Sequence, residues 1–199
     1  MSDVIDSFES LLSAVREAGG LTPNFRPGAT AAAIRECQTK HGWEFPAELV
    51  EFLQYANGEE ETSGFTYTSF CSLEEMEEAH QQLLDNEPNF LNTTDEEREL
   101  TFNPCIATDR RWYRHWVPLA FSVDCANILF LDTNPANYLK QAIYPFTEEG
   151  CSFAPLATTL TELFQKIEQH IRTEQRTPFM PDLPPVDLTP FGWSPPEDQ

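Results

Sequence analysis

The hydrophobic period changes along this chain from that of a helix to that of a strand and back, and the order of those changes limits the fold most. Val4, Ile5, Phe8, Leu11, Leu12 and Val15 mark one face of an amphipathic helix, which Gly19-Gly20 ends. Phe25-Arg26-Pro27-Gly28-Ala29 has turn composition, and Thr30 is placed to cap a second helix with Ala33, Ile34 and Cys37 inward, stopping at His41-Gly42. Pro46 suits the first turn of a third helix, with Leu49, Phe52, Leu53 and Ala56 inward and Asn57-Gly58 closing it. At Phe65-Thr66-Tyr67-Thr68-Ser69-Phe70 the period shortens to two, which predicts a strand.

Ser72-Leu73-Glu74-Glu75 is a capping-box pattern that opens a helix through about Leu84. Residues 85–104 have weak periodicity and suit a loop with at most a short helix. Trp116 to Ser122 and Asn127 to Asp132 are apolar runs separated by Val123-Asp124-Cys125-Ala126, which predicts a hairpin, and Gln141-Ala142-Ile143-Tyr144 is a third run. A second capping box, Thr159-Leu160-Thr161-Glu162, precedes a last helix with Leu160, Leu163, Phe164, Ile167 and Ile171 inward. No regular strand–helix–strand alternation appears. The fold class expected is therefore α+β: a single domain over residues 1–173, with helices covering a mixed or mostly antiparallel sheet. Residues 174–199 hold seven of the sixteen prolines and are expected to form an extended acidic tail outside the core.

Charge narrows the partners. The 199 residues carry 33 acids against 12 Lys and Arg, a formal charge of −21. The excess is local: residues 48–99 hold fifteen acids and one base, a net of −14, while residues 1–47 and 100–173 are nearly balanced. Binding to nucleic acid or to an anionic membrane draws its affinity from Lys and Arg, so neither is expected. A broad partner surface would be basic. With 40% hydrophobic residues and 15 Phe, the chain has material for a real core and is unlike an intrinsically disordered one.

The chemical inventory is thin. No zinc-protease, serine-hydrolase, Walker or dinucleotide-binding pattern occurs, and His41, His80, His115 and His170 are scattered. Asp132-Thr133-Asn134-Pro135-Ala136-Asn137 begins like a calcium loop but lacks the central glycine, and Ile143 stands where a bidentate Glu is required. The five cysteines are widely spaced and form no C-x-x-C, consistent with reduced thiols. Met1 to Gly20 is acidic at its start and is not expected to be a secretory signal. These features lead us to expect a cytoplasmic, non-catalytic binding protein without metal or cofactor. Arg110-Arg111-Trp112-Tyr113-Arg114-His115-Trp116 is the one basic and aromatic cluster; it either stacks a base or grips an acidic peptide, or Trp116 begins a strand while the arginines balance the acidic window, and the strand is favoured.

Phe25-Arg26-Pro27-Gly28-Ala29-Thr30, Gly42 with Phe45-Pro46-Ala47-Glu48-Leu49, Phe52-Leu53 and Asn57-Gly58 together resemble the N-terminal half of the SUKH superfamily. That group includes bacterial immunity proteins and the fungal cell-wall-assembly regulator of the Smi/Knr type. Ser72-Leu73-Glu74-Glu75, Trp116-Val117-Pro118-Leu119-Ala120, Ile128-Leu129-Phe130-Leu131-Asp132 and a closing helix after Thr159 extend the resemblance over about residues 22–172. Members usually carry glycines where Val123 to Asn127 and Ala136 to Lys140 stand here. The resemblance implies a single α+β domain without shared catalytic residues. It also implies a role in neutralising a cognate toxin, often a nuclease.

A nucleic-acid-directed toxin must present a basic cleft, and an acidic inhibitor would occlude it. The residues expected to meet that partner are Glu59, Glu60, Glu61, Glu74, Glu75, Glu77, Glu78, Asp95, Glu96, Glu97 and Glu99, followed by Asp124 and Tyr67. The bland alternative for the list is a solubilising surface. The alternative function is a regulatory or scaffold protein that binds other protein partners.

Overall fold

The computed structural model describes residues 2–20, 23–60, 68–85, 114–122, 127–135, 139, 141–147, 150–151, 155–174 and 183. Among these the chain forms five helices and two antiparallel sheets, a single α+β domain. No helix among the described residues is long and apolar enough to cross a membrane.

The helices lie where the 3.6-residue period places them. Helix α1 (Asp3–Glu17) buries Val4, Ile5, Phe8, Leu11, Leu12 and Val15 and ends at Gly19, whose φ of 80° lets the Gly20 N–H return to the Val15 carbonyl. Thr30 caps α2 (Ala31–His41) by accepting the Ala33 N–H, and Gly42 closes it in the left-handed conformation. Helix α3 is Ala47–Tyr55, α4 is Leu73–Asp85 and α5 is Leu160–Glu174. The first predicted capping box forms in full and the second in a shifted form. Ser72 Oγ accepts the Glu75 N–H while Glu75 Oε2 accepts the Ser72 N–H. Thr159 Oγ1 accepts the Glu162 N–H, and Glu162 Oε2 reaches one residue further back, to Thr158 N–H.

The shortest strands escaped the sequence pattern. Phe25–Pro27 forms β1 and Ala56–Glu59 forms β2, which pair antiparallel with Phe25 opposite Glu59 and Pro27 opposite Ala56. The segment expected to be a turn is thus a strand, and α3 ends at Tyr55 rather than at Asn57-Gly58. Ala29 N–H bonds the Leu53 carbonyl, so the segment after β1 crosses the C-terminal end of α3.

The second sheet is an antiparallel meander in the order β3 (Thr68–Phe70), β4 (Trp116–Ser122), β5 (Ile128–Asp132), β6 (Ile143–Thr147) and β7 (Gly150–Cys151). Its runs are apolar without alternation because both faces are covered. Val117, Leu119, Leu129, Leu131 and Ile143 enter the main core, while Trp116, Ile128, Phe130 and Tyr144 form a second cluster. There Phe130 stacks on Trp116 at 4.1 Å and on its cross-strand partner Tyr144 at 5.5 Å.

In the main core Phe8 of α1 meets Phe25, Phe52 and Phe164 at 5.1, 4.9 and 5.1 Å. Helices α1 and α5 pack together, with Ser10 donating to Glu168 and Arg172 pairing with Glu17. Leu183 also belongs to this core, 5% exposed. Leu183 comes from the Pro-rich stretch expected to lie outside the core and is an exception to that expectation; burying a leucine contributes about 1.5–3 kcal/mol.

Glu48 supplies a cap that crosses between helices. From the first turn of α3 its carboxylate accepts the Leu160 and Thr161 N–H groups at the start of α5, at 2.9 and 3.2 Å, and the Thr161 hydroxyl at 2.8 Å. It satisfies orphan donors and places negative charge at the positive helix end. Glu48→Ala is expected to cost about 1–2 kcal/mol in a urea unfolding titration; an unchanged midpoint would remove Glu48 from this role.

Candidate protein-binding groove

A groove with a volume of about 620 Å³ opens between α4 and the edge where β2 meets β3. Its construction starts at Asn57-Gly58. Asn57 Oδ1 accepts the Leu73 N–H at 3.0 Å, so β2 caps α4 from outside. Gly58 has a φ of 78°, and a Cβ built there would lie 2.2 Å from the Ser72 nitrogen. That close approach turns Glu59 inward, where it is 3% exposed and its Oε1 accepts the Phe70 N–H of β3 at 3.0 Å. A buried carboxylate is costly unless hydrogen bonded, and this bond ties the two sheets together.

Arg26 of β1, the strand paired with β2, also lines the groove. Its two terminal nitrogens grip Glu75 Oε1 and Oε2 at 2.8 and 2.9 Å, a bidentate pair. Burial would raise the Glu75 carboxyl, but the hydrogen bonds from Arg26 and Ser72 outweigh it and hold the group below its ordinary range. Glu60 and Glu78 complete the acidic lining, both exposed, while Phe70, Leu83, Phe121 and Ile128 supply apolar surface and Ser69 a hydroxyl.

The groove thus brings together Glu59, Glu60, Glu75 and Glu78 of the acids singled out in the sequence. Glu74 is exposed on α4 away from the groove lining, and Glu77 faces α2. Glu61, Tyr67, Asp95, Glu96, Glu97, Glu99 and Asp124 lie outside the described residues. Sequence reasoning missed Arg26, Ser69 and the apolar members. The signal for Arg26 was a lone base in a rigid strand ending in Pro27, with a capping-box glutamate downstream needing a partner.

Glu77 heads a separate cluster. Its Oε1 takes the Lys40 ammonium at 3.2 Å and the His41 Nε2–H at 2.9 Å. Burial opposes ionisation, yet Lys40 and His41 hold its carboxyl low. The His41 ring stacks on Trp43 at 4.4 Å, and Trp43 meets the edge of His80 at 4.9 Å. His80 Nδ1–H donates to the Trp116 carbonyl, and Trp43 Nε1–H to the Arg114 carbonyl, each at 3.0 Å. Burial pushes the Cys37 thiol up to about 12, with Glu77 adding to it. Among the described residues no group of His, Cys, Asp and Glu could hold a metal ion.

Burial, with His41 nearby, pushes His80 down from 6.5 to about 4. The unfolded chain therefore takes up a proton that the folded chain refuses, and stability falls as pH drops from about 6.5 towards 4. The loss amounts to roughly 2–3 kcal/mol. His80→Asn keeps a donor for the Trp116 carbonyl and is expected to flatten that part of a stability-against-pH profile. His115, lowered by burial and Arg114, titrates in the same direction and remains as background. The salt-bridged carboxylates Glu75, Glu77 and Glu162, whose pKa values are lowered, lose their contribution only below about 4.5, in a lower window. A profile unchanged by the substitution would exclude His80 as its source.

Asp132 serves neither of these clusters. It is fully buried and its Oδ1 accepts the Asn134 N–H at 2.8 Å, a side-chain turn at the end of β5.

A search of curated proteins found no match to this chain. Residues 28–166, most of the chain and every strand but β1, match the model of the SMI1 / KNR4 family (SUKH-1), and the chain belongs to that family.

Proposed function

We propose that this chain is an immunity protein that binds a cognate toxin domain and occludes its active site, without catalysis of its own. The toxin would be a nucleic-acid-directed or other enzyme with a basic cleft. Family membership supports a protein that binds other proteins. The observation that carries the reading further is the convergence of Glu59, Glu60, Glu75 and Glu78 on one groove with apolar walls. Such a surface offers long-range attraction to a basic cleft and an apolar contact once it is reached. The cytoplasm, where such a toxin would threaten the producing cell, is the compartment this role requires. A scaffold tethered through residues 174–199 is the second reading, and Leu183 within that stretch is buried in the core.

Co-expression tests the proposal. A toxin domain encoded beside this gene should be lethal alone and tolerated with this chain. Full lethality of every adjacent toxin domain in its presence would refute it.

A further inference from the structure

The charges that line the groove are unevenly satisfied. Arg26 is consumed by its bidentate pair with Glu75, which together are neutral. With Glu59, Glu60 and Glu78 the lining carries a formal charge of −3. Glu59 is buried and accepts a hydrogen bond from the Phe70 N–H. The exposed carboxylates of Glu60 and Glu78 meet no cation among the described residues. Ser69 Oγ also lines the groove, enclosed, with no hydrogen-bond partner among them. Beside these polar groups lie Leu83, Phe121 and Ile128.

An occupant that satisfies this surface needs a positive head with several donors spread over more than one oxygen, and an apolar stem. Lysine offers a compact, strongly hydrated ammonium. Arginine offers a planar fork of five donors that spans two acceptors side by side, is less strongly hydrated, and packs its stem and plane against apolar and aromatic surface. A groove of about 620 Å³ lies within the usual range for sites that enclose a small ligand and has room for one such side chain with its flanking backbone. We propose that the groove between α4 and the β2–β3 edge is a receptor for an arginine side chain presented by the partner protein, its guanidinium held by Glu60, Glu78 and Ser69 and its stem laid along Leu83, Phe121 and Ile128. This deepens the immunity reading, which supplies the partner, by naming what the partner inserts.

The test needs no toxin. The full-length ¹⁵N-labelled chain is titrated with N-acetyl-arginine methylamide and with its citrulline counterpart, which keeps the shape and loses the charge. Saturable shifts are expected at the amides of Glu60, Ser69, Glu78 and Ile128, with citrulline bound at least about tenfold more weakly. The E60Q/E78Q variant changes two exposed side chains, and its spectrum reports directly that it is folded. It should weaken arginine binding by at least about tenfold. Equal binding of the two probes, or binding unchanged in E60Q/E78Q, overturns the proposal. Such a result leaves the protection assay standing, whereas arginine binding without protection from any adjacent toxin overturns the immunity reading instead.

Discussion

Gly58→Ala is expected to lower stability by at least about 3 kcal/mol. Two costs act together. The φ of 78° disfavours any side chain, and the new Cβ would lie 2.2 Å from the Ser72 nitrogen and 2.7 Å from the Cys71 carbonyl carbon. Both obstacles are backbone at the start of α4, so no rotamer change relieves them. For a chain of this size the loss corresponds to a melting temperature lower by about 6–12 °C. Gly28→Ala should behave similarly for a different reason: its Cβ would meet the Gln54 carbonyl oxygen at 1.7 Å, where the chain crosses the end of α3. A melting temperature within about 2 °C of the parent for Gly58→Ala would show that β2 and α4 are not held this closely.

The second large effect concerns association. Reversing Glu60 and Glu78 to lysine removes the two exposed acids of the groove and turns its formal charge from −3 to +1. On the proposed immunity role, association with the basic toxin domain should slow by about 10- to 100-fold at low salt. The difference should shrink at physiological salt, where the Debye length is about 8 Å. Glu74→Lys, also on α4 but outside the groove lining, should slow it far less. Equal losses from Glu74→Lys and from the groove pair would mean that total charge matters and the groove does not. The thermal midpoint of the double variant should stay near that of the parent, since neither side chain carries an ion pair within the described fold.

The parts of the fold legible in the sequence are those where one physical rule dominates. Helices α1 and α5 follow from unbroken apolar periodicity, and the starts of α4 and α5 from their capping boxes. The apolar β4 and β5 runs announced two strands, and their burial on both faces emerged only with the helices in place. The β1–β2 pair was hidden because it is three or four residues long and contains Pro27, Asn57 and Gly58, all of which favour turns in isolation. Tertiary contact overrides that preference: Asn57 caps α4, Gly58 lets Ser72 approach, and Phe25 packs on Phe8.

The site was legible as a density of acids and no further. Sequence adjacency does not reveal direction. Glu75 and Glu78, three residues apart, share the groove face of α4, while Glu77 turns towards Lys40 and His41. Glu59 opens a run of three glutamates expected at a partner-facing or solubilising surface, yet it is buried and its carboxylate accepts the Phe70 N–H. Arg26 and Ser69 could be placed only once β1 and β3 were known to border α4.

The most direct test of the central claim is a stoichiometric inhibition titration. A toxin domain encoded beside this gene is purified, and its activity is followed as this chain is added. The account predicts activity falling in proportion to added chain and reaching zero near one equivalent, with E60K/E78K requiring a large excess. Undiminished toxin activity at a tenfold excess of the folded parent chain would contradict it.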